Sequence, residues 1–358
     1  MSDFISTKRQ EIDSIDQRLV ELLDKRADVA RELQIAKTKD GKAVSFDPAR
    51  EEEIMSGLGK FHQGSFPKKA LSAVFSEIVS ACRNIELHDR IAVLGEKFGW
   101  IHDAAVRRFG SSAVLNTMEN GEEILQALLR EESHMGFFPV SSCCTDFHQL
   151  LEAFMAGKIF ITSEVNYLHR FALVSRNVSE RNSITDLFVT RETLGLLRQW
   201  VLSISFPIKI NICRSVEEVL ENLVESKPNA GLISETIAGS FGANLIETCL
   251  EPLIPWPIRC VTIARVPNAK IQKGMKVSVL LALQHEPGTL YNTLAYLREA
   301  ELNLLGIDTF KFHEKAWQEL FLVDFEAPEN EARLSEILKA MKAKSRFFKF
   351  LGAYPALK

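Results

Sequence analysis

The 358-residue chain has no apolar run near the roughly 18 residues that a membrane-spanning helix needs. It has no excess of positive charge: 43 Lys and Arg stand against 47 Asp and Glu, a net of −4, which argues against a nucleic-acid surface held by charge alone. Its six cysteines (Cys82, Cys143, Cys144, Cys213, Cys249 and Cys260) include no C-x-x-C pair, so neither a zinc site nor a disulfide framework is expected, and no metal. The first residues, MSDFISTKRQEIDSIDQ, are charged and lack the apolar centre of a signal peptide, so a cytoplasmic protein is expected. There is no low-complexity segment and no internal repeat. Against these absences, 46% apolar and 25% charged residues are the shares of an ordinary globular protein. At roughly 150 residues per domain, the length predicts two or three domains.

Residues 4–38 read as one uninterrupted helix. Ile5, Ile12, Ile15, Leu19, Leu22, Leu23, Val29 and Leu33 recur at helical spacings, and no Pro or Gly breaks them. At about 1.5 Å per residue this helix is roughly 52 Å long, more than a small domain is wide. Its stripe needs cover from a partner chain, so a homodimer or higher homo-oligomer is expected. Asp40-Gly41 marks the helix end. A second helix fits 48–60, with Asp47 as N-cap and Pro48 in the first turn. A third fits 68–87. Residues 1–88 are therefore expected to form an all-α domain.

The pattern then changes. Strand-like runs at 91–95, 135–140, 158–162, 170–174, 208–212, 229–233 and 260–264 alternate with helical stretches at 102–109, 120–131, 146–156, 191–201, 215–225 and 234–242. This predicts an α/β domain over 90–266 with mainly parallel sheets. Residues 270–276 read as a linker. The last stretch, 276–355, runs strand, helix, strand, strand, helix, strand, which predicts a ferredoxin-like domain.

Cations gather on the N-terminal helices. Arg9, Arg26 and Lys37 lie on the first helix. Eleven residues separate Arg26 from Lys37, about 1100° of rotation, so both point the same way about 16 Å apart along the axis. Such a pair can converge on a small anion. Asp47, Arg50 and Glu51 share one face of the second helix, and Cys82 and Glu86 one face of the third.

K-R-Q-E-I-D-S-I-D-Q-R-L-V-E-L-L-D-K-R-A-D-V-A-R-E-L-Q-I-A-K (8–37), D-P-A-R-E (47–51) and F-S-E-I-V-S-A-C (75–82) together resemble the all-helical chorismate mutase class. The resemblance implies an intertwined dimer that turns chorismate into prephenate without cofactor. It implies a site lined by Arg26, Lys37, Asp47, Arg50, Glu51, Cys82 and Glu86, with Arg9 reaching in from the partner chain. Cys82 stands where the class often has Ser, and Glu86 where it often has Gln. The rearrangement is intramolecular and needs no nucleophile. The protein must hold a dicarboxylate in its compact conformer and stabilise charge on the breaking ether oxygen. Arginines clamp carboxylates bidentately. Lys37 can donate to the ether oxygen, whereas Glu86 can do so only when protonated, and Glu51 can orient the substrate hydroxyl.

The middle domain resembles the prephenate dehydratase family in layout. The family's Gly-Pro-Glu-Gly-Thr-Phe-Ser-His signature reads Gly95-Glu96-Lys97-Phe98-Gly99-Trp100-Ile101-His102 here. Pro-Ile-Glu-Asn-Ser reads Pro139-Val140-Ser141-Ser142-Cys143, and Thr-Arg-Phe reads Ile258-Arg259-Cys260. Ile258 cannot donate a proton or a hydrogen bond. The module is read as a dehydratase impaired in catalysis. The dehydratase-like pocket comprises His102, Ser141, Ser142, Ile258 and Arg259, and Ser141, Ser142, Cys143, Cys144, Thr145 and Arg259 remain able to bind a small carboxylate. Two alternatives stay open: a fully bifunctional mutase/dehydratase making phenylpyruvate, and a metabolite-sensing or scaffolding module that gates the mutase.

Residues 276–355 resemble the ACT regulatory domain. Pro287-Gly288-Thr289-Leu290 stands for its Pro-Gly-Ala-Leu, Asp308-Thr309-Phe310-Lys311 for Glu-Ser-Arg-Pro, and Leu351-Gly352-Ala353-Tyr354-Pro355 keeps its Leu-Gly-x-Tyr-Pro ending. The resemblance implies an aromatic amino acid effector held near Pro287, Gly288, Thr289, Leu290 and Asp308.

Overall fold

A computed structural model describes residues 2–39, 48–87, 90–140, 145–223, 227–251, 257–268, 271–311 and 319–357. The chain divides into two units. The first holds Met1–Arg90 together with Phe109–Val114; the second holds Ile91–Arg108 and Leu115–Lys358.

The first unit is built on three helices, α1 (Ser2–Lys39), α2 (Pro48–Phe61) and α3 (Lys68–Leu87), with α3 packed against both others. All three expected helices are present, and α1 is as long as its periodicity demands. No described side chain of α1 is buried; Ile12 is 57% exposed and Leu22 62%. The apolar stripe is therefore uncovered within a single chain.

The second unit contains three sheets. Its first lobe takes β1 (Arg90–Leu94), α4 (Trp100–Phe109), β2 (Val114–Met118), α5 (Gly121–Leu129), β3 (Met135–Pro139), α6 (Thr145–Ala156) and β4 (Phe160–Tyr167). The chain then leaves for β5 (Phe171–Ser175), β6 (Asp186–Thr190), α7 (Arg191–Leu196), α8 (Arg198–Leu202), β7 (Lys209–Cys213), α9 (Val216–Glu221), β8 (Asn229–Ser234), α10 (Glu235–Ser240) and β9 (Asn244–Leu250), the second lobe. It returns in β10 (Ile258–Ala264).

The expectation of mainly parallel sheets is corrected. In the second lobe, ordered β7-β6-β8-β5-β9, β6 runs parallel to β7 and β8, but β5 runs antiparallel to both neighbours. In the first lobe β10 is antiparallel to both β3 and β4. The reason is topological. The chain leaves the first sheet at the end of β4 and, after building the second lobe, re-enters at that same end, where Ile258 stands opposite Tyr167, so the returning strand opposes its neighbours.

The remaining elements are β11 (Lys276–Ala282), α11 (Thr289–Glu299), β12 (Leu304–Lys311), β13 (Glu319–Glu326), α12 (Glu331–Ala343), β14 (Phe347–Tyr354) and β15 (Ala356–Leu357). The expected β-α-β-β-α-β order is present, in an antiparallel sheet ordered β12-β13-β11-β14. This sheet is tied to the first lobe. β15 pairs in parallel with β4, and β14 crosses so close to β4 that a Cβ on Gly352 would lie 2.1 Å from the Ile161 carbonyl oxygen. Only glycine fits that crossing, and its φ of +153° adds to the requirement. None of the described helices is long and apolar enough to cross a membrane.

Candidate functional site

The expected mutase residues fall on all three helices of the first unit. Arg9 is exposed and Arg26 half-buried on α1, and neither forms an ion pair among the described residues. Arg50, on α2, donates to Glu53 at 2.9 Å. Cys82 is buried on α3. Asp47 and the side chains of Lys37 and Glu86 lie outside the described residues.

Glu51 is brought to a residue that the sequence reading passed over. Arg83, one position after Cys82, is buried, and its guanidinium forks. Nη1 donates to Glu51 and Nη2 to the Phe109 carbonyl. The available signal was an arginine beside the apolar face of α3. Its partner on α2, 32 residues away, could not be read from spacing.

A second constellation lies between the two lobes of the second unit. Trp100, Asp103 and Arg107 sit at i, i+3 and i+7 on α4, hence on one face. Each reaches the second lobe: Trp100 Nε1 donates to Glu192, Ser234 Oγ donates to Asp103 at 2.5 Å, and Arg107 donates to Thr236 Oγ1 at 2.5 and 2.9 Å. Tyr167 also donates to Asp103, and the Arg107 guanidinium lies over the Tyr167 ring. Burial, and after it the Asp103 charge, pushes the Tyr167 hydroxyl up. Phe98 joins the same seam. It stands where the dehydratase signature has its second Gly, has φ +63°, and packs against the apolar cluster around Ala172, Val174 and Val219 of the second lobe. A non-glycine residue there carries local strain of order 1 kcal/mol.

His169 completes the seam. It is 3% exposed, its ring lies 4.0 Å from Phe171 and 5.7 Å from both Trp100 and Tyr167, and neither nitrogen has a hydrogen-bond partner among the described residues. Asp103 Oδ1 is likewise buried without a partner. Burial, aided by the Arg107 charge, pushes the His169 ring down to about 3 from its ordinary 6.5. Because the folded value lies below the unfolded one, protonation favours unfolding. Stability is intact above about pH 6.5 and is lost as pH falls from 6.5 toward 3. His169→Phe keeps the shape and removes the unsatisfied nitrogens. It should raise stability at pH 7.5 by about 1 kcal/mol and flatten the loss on acidification. Melting temperatures at pH 7.5 and 5 check this; an unchanged acid slope would rule out His169 as its cause.

His102 is half-buried beside Phe98, and burial pushes its ring below the ordinary value although Asp103 opposes this. Ile258 begins β10 directly opposite Tyr167, at the interlobe end of the sheet. Ser141 and Ser142 lie outside the described residues. Arg259 is engaged by partners inside the protein. Nε donates to Glu164 at 2.7 Å, Nη1 pairs with Asp324 at 2.7 Å, and Nη2 donates to the Tyr354 hydroxyl at 3.0 Å. Lys276 pairs with Glu164 at 2.6 Å, and Ser278 donates to Asp324. Two cations and two carboxylates thus balance in a buried network that joins β4 and β10 to β11, β13 and β14. Burial pulls the Arg259 guanidinium down, but Tyr354, Asp324 and Glu164 more than offset this and leave it raised. Arg259 meets Glu164 from 95 residues away, which no local pattern reports.

Around the expected effector residues, Pro287 precedes Gly288, which caps α11 with φ +83°. Thr289 Oγ1 donates to the Glu286 carbonyl at 2.9 Å, Leu290 lies in the first turn, and Asp308 is half-buried on β12. Among the described residues no group of three or more His, Cys, Asp or Glu could hold a metal ion.

Comparison with known proteins agrees with this division. The model for chorismate mutase type II matches residues 8–87, and the model for prephenate dehydratase matches 91–252. The bifunctional chorismate mutase/prephenate dehydratase of Aquifex aeolicus (strain VF5) is 27% identical over 97% of this chain and 96% of its own length. That of Pseudomonas aeruginosa is 24% identical over 99% and 98%. Among solved structures, the prephenate dehydratase of Staphylococcus aureus superposes with a TM-score of 0.63 at 17% identity, over 74% of this chain and 99% of that one. The prephenate dehydratase of Arthrobacter aurescens, in complex with L-Phe, gives 0.60 at 20% identity over 74% and 90%. These superpositions speak for the fold of the second unit. With the chorismate mutase model matched first and the prephenate dehydratase model directly after it, and relatives similar along nearly their whole length, the chain carries a chorismate mutase domain and a prephenate dehydratase domain in the order of the bifunctional chorismate mutase/prephenate dehydratases.

Proposed function

We propose that this protein is a chorismate mutase acting as a homodimer in the cytoplasm, with a second module that binds a small aromatic carboxylate but is impaired as a dehydratase. The observation that carries the mutase reading is the cation set on α1 and α2. Arg9 and Arg26 have no carboxylate partner among the described residues, which leaves their charge available to a dianion. The uncovered α1 stripe supports a second copy as its cover, and with it Arg9 contributed in trans. In the bound state the arginines fold the substrate's carboxylates into the compact conformer, and Lys37 donates to the ether oxygen as charge grows there.

Three features of the second unit support impairment. Ile258 has no donor where the family has Thr, Arg259 is spent on internal carboxylates, and Phe98 fills the seam where the signature has Gly. The sheet of β11–β14 is read as an ACT-like sensor. Its effector, an aromatic amino acid, would sit near Pro287, Gly288, Thr289, Leu290 and Asp308.

A paired assay on the purified protein tests both halves. Loss of chorismate absorbance should be fast. Phenylpyruvate should form from prephenate at least about 10²-fold more slowly, the scale set by losing one preorganised donor. Ile258→Thr should restore little, because the other signature positions are altered too. Dehydratase turnover near the mutase rate would replace this reading with the fully bifunctional one, which full-length likeness to relatives of that name favours.

A further inference from the structure

We infer that Arg83 is a positioning residue for the mutase reaction: it sets Glu51 in place by forking between the Glu51 carboxylate and a backbone carbonyl that the fold holds fixed. The inference rests on the mutase reading above and on four observations within the first unit.

The pair is enclosed. The Arg83 side chain is 9% exposed and that of Glu51 16%, so their attraction is little screened by water. Both ends of the fork are used, Nη1 on Glu51 and Nη2 on the Phe109 carbonyl, and the guanidinium carbon lies 5.5 Å from the Phe109 ring centre. A planar fork with two committed teeth has little freedom to swing.

The far anchor is itself pinned. Ser111 donates its backbone N–H to both Glu77 carboxylate oxygens, at 3.1 and 3.2 Å, and its hydroxyl to Oε2 at 2.6 Å. Gly110, at φ +83°, passes so close to Ser80 that a Cβ there would lie 2.4 Å from the Ser80 Cβ. Glu77, Ser80 and Arg83 follow one another at i, i+3 and i+6 along α3, so one helix face grips the 109–111 stretch. The position of Glu51 therefore follows from a chain of fixed contacts rather than from α2 alone. A carboxylate has two oxygens and several acceptor directions. One oxygen in the grip of Arg83 orients the group as a whole, which is what orientation of a substrate hydroxyl requires.

The test is steady-state kinetics on the full-length protein with chorismate, for Arg83→Met, Arg83→Lys, Glu51→Gln and the double variants. Arg83→Lys keeps the charge and a folded core but cannot serve both acceptors, so it stands in if Arg83→Met fails to fold. With Glu51 displaced, the substrate is gripped less well in ground and transition states alike, so KM should rise on the order of 10-fold in either Arg83 variant. In the Glu51→Gln background the same replacement should change KM by less than about twofold, because the group it acts through is already altered. A purely structural role would lower kcat through loss of folded sites and leave KM unchanged. That result, or KM effects that multiply independently in the double variants, overturns the inference. Wild-type protein without mutase turnover would instead overturn the mutase reading on which it rests.

Discussion

Arg26→Ala should lower the mutase kcat/KM by about 10²–10³, a loss of roughly 3–4 kcal/mol of transition-state stabilisation, while circular dichroism and melting temperature stay at wild-type values. The asymmetry follows from where Arg26 sits. It is half-buried on α1 and has no ion pair among the described residues, so none of those pairs is lost with it. Alanine is also the best helix former, so α1 keeps its length. The substrate, by contrast, carries two carboxylates, and a guanidinium supplies both charge and a bidentate fork. Arg26→Lys keeps the charge without the fork and should fall between the two. Lys37→Ala should match Arg26→Ala, because the ether oxygen loses its donor. Less than about a threefold change in kcat/KM for both variants would remove the cation set from the mechanism.

Arg259→Ala should destabilise the second unit by about 3–5 kcal/mol, the range for removing one partner of a buried ion pair. The loss exceeds that of a surface bridge because Glu164 and Asp324 are only 1% and 3% exposed at their side chains and would be left with Lys276 as their sole cation among the described residues. Burial already pushes the Asp324 carboxyl above its ordinary value, with Arg259, Ser278 and Lys276 pulling it back; removing Arg259 takes away the largest of those opposing effects. All four tryptophans, Trp100, Trp200, Trp256 and Trp317, belong to this unit, so their fluorescence in a urea titration reports it alone. Combining Arg259→Met with Glu164→Gln should recover part of the loss by removing the uncompensated charge. A midpoint shift equivalent to less than about 1 kcal/mol would mean that the network contributes no more than an exposed bridge.

How far local pattern reached differs by element. The helix read over 68–87 is α3 to the residue, and the one read over 4–38 is α1 within a few. Amphipathic periodicity over many turns leaves little choice. Four strands went unread, among them the two-residue β15. β2 and β9 are edge strands whose exposed and half-buried residues do not alternate, and β6 opens on Asp186, a residue poor in strands. The helix read over 191–201 is two short ones meeting at Leu197.

The candidate site divides in the same way. Arg26 and Lys37 can be assigned to one face of α1 from their spacing, because a helix repeats every 3.6 residues. The commitment of Arg259 to Glu164 and Asp324 could not be, nor could the seam between Asp103 and Ser234, 131 residues apart. Sheet direction shows the boundary most clearly. Alternating strands and helices were legible, but the antiparallel return of β10 depends on where the chain goes between β4 and its re-entry.

What the amino-acid order alone determined is what depends on near neighbours: the three N-terminal helices, the uncovered stripe of α1, the cation spacing and the β-α-β-β-α-β ending. Tertiary structure alone decided which charges are paired inside the protein. An ion pair is chosen by distance in space and by the exclusion of water, and neither is written in the spacing of residues along a chain.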